Sequence, residues 1–293
     1  MSMRQFLSGA VLLLMALHSS AVERLVSVDG ALTEIVYALG AEHRLVGVDT
    51  TSRFPEAATE LPQVGYMRQL NAEGILALRP TLVIASHDAG PEPVFAQLQA
   101  AGVKVARISA PDTLEGVASR IRQVGDALAL SARAEQLAAK VVQAATEELA
   151  ALPDQSPSTL FLLGTSGRGL MAAGLGTRAQ ALLELLNVNN AFEHQGYKPI
   201  SAEGAVQAAP ELVLIGHTGP DNSALTASTL AHTPAAEQKR IHTVDVSLVL
   251  GFGPRLPQAL SLLIPLLYPQ DTGIKGMSEL SLEPSLNKLA ESE

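Results

Sequence analysis

The sequence predicts an α/β protein of two Rossmann-like lobes with mainly parallel sheets, joined by one long spine helix. Three observations carry this reading. Short aliphatic runs alternate with helical patterns in both halves, a stretch without Gly or Pro separates the halves, and one segment of the first half recurs in the second. A chain of 293 residues is long enough for about two domains, each with its own core.

In the first half, Leu25 to Val28, Leu45 to Val48, Leu82 to Ala85 and Val103 to Ile108 read as strands. Ala31 to Leu39, Ala72 to Leu78 and Val94 to Ala101 read as helices between them. The second half offers strands at Thr159 to Leu163, Leu212 to Ile215 and Ile241 to Val244. Its helices fall at Arg178 to Leu186, Ala202 to Ala208 and Leu256 to Leu267. Between the halves, Ser131 to Leu152 is rich in Ala, Glu, Gln and Lys and places Leu137, Val141, Ala145 and Leu149 on one helical face. A helix of about 20 residues reaches about 30 Å, enough to run along two lobes. Asn71-Ala-Glu-Gly-Ile-Leu-Ala-Leu-Arg-Pro-Thr-Leu-Val-Ile-Ala-Ser is echoed by Ser201-Ala-Glu-Gly-Ala-Val-Gln-Ala-Ala-Pro-Glu-Leu-Val-Leu-Ile-Gly. Each copy opens on an N-cap residue and stops its helix with Pro before a buried strand.

The expected division is a leader at 1–21, a first lobe at 22–130, the spine at 131–152 and a second lobe at 153–293. Arg4, the largely apolar run Phe6 to Leu17, and small residues at Ser19 and Ala21 form a secretory signal pattern. That run is shorter than the roughly 20 residues that cross a bilayer. Cysteine is absent, which excludes disulfides, thiolate chemistry and a lipid anchor on an N-terminal cysteine. A freely diffusing chain of the Gram-negative periplasm is expected, and a monomer. Net charge −9 with no basic run disfavours nucleic acid. An aromatic content of 3% without Trp argues against a base- or sugar-stacking surface.

In open parallel sheets, ligands sit beyond the carboxyl ends of the strands. His87 and His217 stand there at matching positions of the two copies, and Tyr66 and Tyr197 lie on the approaches to the two repeated helices. Gly65-Tyr66-Met67-Arg68 sets a guanidinium two residues from a phenol. A phenolate is a hard donor suited to Fe(III), and a nearby cation helps to hold its charge. Arg68 could also pair with a ligand carboxylate. Lys198 beside Tyr197 adds a cation on the other lobe.

These segments, with Gly196-Tyr-Lys-Pro-Ile-Ser-Ala-Glu-Gly and Gly251-Phe-Gly-Pro-Arg, resemble the haem-binding periplasmic proteins of bacterial haem uptake. The likeness runs over roughly 24–268 and places the chain in the helix-spine class shared with vitamin B12 and ferric siderophore carriers. It implies haem as the transported ligand, Tyr66 as the axial ligand to ferric iron, and Arg68 hydrogen-bonded to the phenolate. Some relatives add a second-lobe histidine, but the turn Thr165 to Met171 contains none. Tyr66 alone is therefore the first choice, ahead of His217 or His87 as partner. Met67, Leu170 and Met171 are candidates for an apolar slot, and Arg68, Arg168 and Lys198 for the propionates. Glu73 and Glu203, each in a first helical turn, complement the helix dipole. The resemblance implies that they also dock onto arginines of a two-fold inner-membrane ABC permease.

Two other classes stay open. The same carrier could take cobalamin, a ferric siderophore or a bare metal ion held partly by His87 and His217. An enzyme would need a nucleophile and base in partnership, and none is found. Gly164-Thr-Ser-Gly-Arg-Gly fits neither a nucleophile elbow nor a phosphate loop and reads as a hairpin turn. Gly251 to Arg255 opens a helix, with Arg255 a possible anion contact. No His-x-x-x-His pair supports a zinc site.

Overall fold

A computed structural model describes residues 24–150, 152–153, 156–165, 169–217 and 223–269. The expected leader lies outside them, as does Arg168. The first sheet has the order β2-β1-β3-β4, all parallel, from β1 (Leu25–Val28), β2 (Leu45–Val48), β3 (Leu82–Ser86) and β4 (Lys104–Ile108). β1 and β3 are buried at every position, as strands covered by helices on both faces must be. Side chains alternate between faces: Leu25, Leu82 and Ile84 join one cluster, while Val26, Val28, Val83 and Ala85 join another under Ala72–Ala77 and Glu92–Ala100.

The second sheet contains β5 (Ser158–Thr165), β6 (Gly169–Ala173), β7 (Asn189–Asn190), β8 (Tyr197–Pro199), β9 (Leu212–His217) and β10 (Ile241–Asp245). Its order is β10-β9-β5-β6-β8, with β7 also on β5. β10, β9 and β5 run parallel, whereas β6 pairs antiparallel with both β5 and β8. The second lobe therefore adds an antiparallel edge that the first lacks. The hairpin turn expected within Gly164–Gly169 lies partly outside the described residues, and the strands on its two sides, β5 and β6, pair antiparallel.

The spine is the helix Ser131–Leu149, burying Ala134, Ala138, Val141 and Ala145. Its small buried residues admit close packing, and it lies against Leu114–Ala127 and Leu256–Leu267. A Cβ on Gly125 would stand 2.1 Å from the Ala134 Cβ, so only glycine permits that crossing. One apolar cluster runs from Leu25 and Leu32 through Ala138 and Val141 to Leu183 and Leu263, and the spine shares its core with both lobes. Among the described residues no helix is long and apolar enough to cross a membrane.

Candidate functional site

Loops at the carboxyl ends of the first sheet form one wall of a cleft between the lobes, a cavity of about 650 Å³. Tyr66, Met67 and Arg68 lie on the loop that leaves Val64 and enters the helix Ala72–Ala77. Val64 N–H donates to the Val48 carbonyl, Thr50 N–H to Gly65, and Gly90 N–H to Met67, so the loop is pinned at both ends. Gly65 has φ 95°, a conformation that favours glycine and turns the chain at Tyr66. Met67 goes inward, packed in the first-lobe core at 7% exposure, and Tyr66 is left 43% exposed on the cleft wall. Arg68 lines the same cleft; among the described residues it has no ion-pair or hydrogen-bond partner, and no bond joins it to Tyr66. His87 also lines the cleft, with Nε2 3.3 Å from Asp88 Oδ1.

Beneath this wall is a buried polar network. Asp49 accepts from Asp29 N–H, Thr51 N–H, the Thr51 hydroxyl and the Ser52 hydroxyl, and Ser52 in turn meets Thr33. Burial lifts the Asp49 carboxyl above its ordinary value in spite of these bonds. Asp29, held by this network, caps the helix Gly30–Ala38.

The opposite wall stands on the antiparallel edge. Tyr197 pairs with Ala173 and Pro199 with Met171, while Met171 pairs in turn with Leu163. Directly paired residues share a sheet face, so Tyr197, Met171 and Leu163 are on one side. Tyr197 and Leu163 line the cleft. Tyr197 is 36% exposed, and burial raises its pKa, opposed by the Thr177 hydroxyl and by the Arg178 and Arg68 guanidiniums. Arg68 from one lobe and Arg178 from the other thus line the same cleft as this phenol and favour its charged form.

The other sequence candidates separate. Met171 shares the face of Tyr197 yet does not line the cleft, and Leu170 is buried in the second-lobe core. The apolar lining comes from Met67, itself largely turned into the core, together with Leu163, Val246, Leu250, Ala31 and Ala110. Lys198, one residue from Tyr197, lines a different groove beside Phe192 and His194, because alternation along β8 sends it to the far face. His217 ends β9, opposite Gly164 and Asp245, with its side chain outside the described residues. Arg255 is not an open anion contact. Its fork is committed to buried Glu34 of the first lobe, and it stacks 3.9 Å over Phe54. Burial lifts the Glu34 carboxyl above its ordinary value even so.

Arg178 is the cleft residue that the motifs do not reveal. It opens the helix Arg178–Leu185 after the N-cap Thr177 and reaches across to Asp29, Asp88 and Asp112 at 3.5, 3.5 and 3.4 Å. Burial alone would lower its basicity, but Asp29, Asp112 and Asp88 outweigh that and hold the charge. One signal was available: a cation at a helix N-terminus opposes the dipole and calls for nearby carboxylates.

Glu73 and Glu203 are exposed in the first turns of Ala72–Ala77 and Ala202–Ala208. Asn71 Oδ1 accepts the Glu73 N–H at 2.7 Å, and Ser201 Oγ accepts the Gly204 N–H at 3.1 Å. Glu203 differs in that its carboxyl is held below the ordinary value by its own backbone N–H and by the Ser201 hydroxyl.

A family model described as periplasmic binding protein matches residues 25–248. A crystal structure of a periplasmic heme binding protein from Pseudomonas aeruginosa is 39% identical, with a TM-score of 0.78 over 86% of this chain and 95% of that one. An uncharacterized ABC transporter substrate-binding lipoprotein of Bacillus subtilis is 24% identical over 84% of this chain and 80% of its own. The vitamin B12-binding protein of Yersinia pestis is 28% identical over 72% of this chain and 76% of its own.

Proposed function

Because the chain belongs to the periplasmic binding protein family, we propose that it carries ferric haem in the inter-lobe cleft and hands it to an inner-membrane ABC permease from the periplasm. The observation that carries this reading is Tyr66, held outward on a pinned loop at the wall of a cavity of about 650 Å³, with Arg68, unpartnered among the described residues, two residues on. Small-ligand sites commonly measure about 300–1,000 Å³ and combine apolar walls with a few polar groups, as this one does. Haem supplies four of its iron's ligands itself, so a single phenolate suffices. Among the described residues no group of three acidic or histidine side chains is arranged to hold a bare metal ion.

In this reading the Tyr66 oxygen binds the iron, and Arg68 swings onto that oxygen and holds its negative charge. Arg178 and Arg68 face the acidic rim of the ligand, and Leu163, Val246 and Leu250 cover its apolar face. Glu73 and Glu203, one on each lobe, meet cations of the permease. The haem-binding neighbour at 39% identity supports haem over the corrinoid of the 28% relative, which remains the second reading.

Hemin titration into the mature protein tests the choice. Saturable uptake with the charge-transfer band of a tyrosinate-bound high-spin ferric haem is expected. Tight cobalamin binding with no response to hemin would reverse it.

A further inference from the structure

Two arginines of the second lobe cross to carboxylates of the first, and they do so differently. Arg255 makes a bidentate hydrogen-bonded pair with Glu34, and neither side chain is more than 14% exposed. Arg178 is surrounded by Asp29, Asp88 and Asp112 at 3.4–3.5 Å, with none of the three at the roughly 2.7–2.9 Å of a charge-assisted hydrogen bond. Its three partners come from three loops, at the ends of β1, β3 and β4, and a quarter of its side chain faces the cleft. Asp29 and Asp112 have other employment: Asp29 caps a helix, and Asp112 takes a hydrogen bond from Arg120 at 3.1 Å. Among the described residues the Asp88 carboxylate pairs only with Arg178 and the adjacent His87, and it is 35% exposed.

We propose that Arg178 is the residue by which the cleft recognises a carboxylate-bearing ligand, with Asp88 as the internal carboxylate that the ligand displaces. The inference rests on the haem reading above and sharpens it to the two propionates. A ligand carboxylate that reaches the guanidinium at full hydrogen-bonding distance gains more than the loosely placed Asp88 loses. Arg178 also sets the sign of the site. Without it, three carboxylates face the cleft and repel an anion; with it, and with Arg120 on Asp112 and Arg68 on the other wall, the charges offset. A corrinoid rimmed with carboxamides draws no such advantage.

The test compares hemin with hemin dimethyl ester, in the same mild detergent, on wild type, Arg178→Gln and Asp88→Asn. Wild type is expected to favour hemin by about tenfold or more. Arg178→Gln brings the ratio near one with the Tyr66 charge-transfer band intact, and Asp88→Asn raises the ratio by tightening hemin alone. A purely structural tie between lobes gives another pattern, in which both substitutions weaken both compounds equally, and that result overturns the assignment. Wild type taking hemin and ester equally also overturns it while leaving the haem reading standing. Wild type taking neither compound overturns both. Thermal melts of the two variants show that they fold.

Discussion

The two walls of the cleft present the same residue type by different means. Tyr66 sits on a loop whose neighbour Met67 anchors it in the core, so its phenol is the more exposed. Tyr197 begins a strand, locked by its pairing to Ala173, with its hydroxyl end among Thr177, Arg178 and Arg68. A Cβ on Gly174 would lie 1.7 Å from the His194 carbonyl, which shows how tightly the chain before β8 is held. The repeat placed a tyrosine on each side, and the haem reading proposed above gives the iron to the more exposed Tyr66 rather than to the strand-bound Tyr197. Burial keeps Tyr197 a neutral phenol to higher pH than an ordinary tyrosine.

The largest effect should therefore separate these two residues. Tyr66→Phe is expected to abolish the charge-transfer band and to weaken hemin on the order of a hundredfold. Tyr197→Phe should leave the band in place and cost a few-fold at most. Absorption spectra and titrations of the two variants check this, and a band lost in Tyr197→Phe but kept in Tyr66→Phe would move the iron to the other wall.

The walls also rest on different foundations, and the first is the more fragile. Asp49→Asn turns an amide N–H₂ toward groups that are all donors, leaving buried hydrogens opposed, at a cost of about 2 kcal/mol or more. The pH dependence has a definite sign. The folded-state value of Asp49 is raised, so its contribution is present below the ordinary carboxylate value and is lost as pH rises through the folded value. Denaturation curves should show the gap between wild type and variant widening as pH falls through the raised value toward the ordinary carboxylate range. In the second wall, Asn190 donates to the Ala173 carbonyl and to Gln180 and accepts from Phe192. Asn190→Ala should cost about 1–2 kcal/mol with no such pH trend.

How much of this is legible in the sequence depends on whether a residue's role is local. Helix Ala202–Ala208 and strand Leu45–Val48 have the ends that the sequence predicts, since N-caps, prolines and aliphatic runs are local signals. Helix Leu114–Ala127 goes unread despite apolar Val117, Ile121 and Val124. Its two glycines lower helix propensity and serve distant contacts: a Cβ on Gly116 would lie 1.8 Å from the Pro111 carbonyl, and Gly125 makes room for Ala134. Tyr66, Tyr197 and His87 reach the cleft because strand ends and the repeat point there. Lys198 lines another groove although it adjoins Tyr197, a distinction that reasoning from neighbours along the chain does not draw, and Met171, on the face of Tyr197, stops short of the cleft. Arg178 is missed because its partners lie on three first-lobe loops distant in sequence.

The smallest expected effect concerns the outer surface, where the two lobes again differ. Glu73 and Glu203 are both exposed, and exposed ion pairs contribute little each, so either alone should weaken permease docking only a few-fold. Glu203 shares its carboxylate with its own N–H and with Ser201, and must give up part of that to meet a cation. In Ala72–Ala77 the cap is made by Asn71, and the Glu73 N–H is already taken. Glu73→Ala should therefore cost docking more than Glu203→Ala, measured as binding to the permease in lipid nanodiscs. Glu203 has a depressed folded value, so its contribution is present above the ordinary carboxylate value and is lost only as pH falls through the depressed one. The effect of Glu203→Ala should persist unchanged from about pH 7 to about pH 5. Equal losses from the two substitutions would mean that the permease reads only charge, and no loss in the double variant would remove both residues from the docking surface.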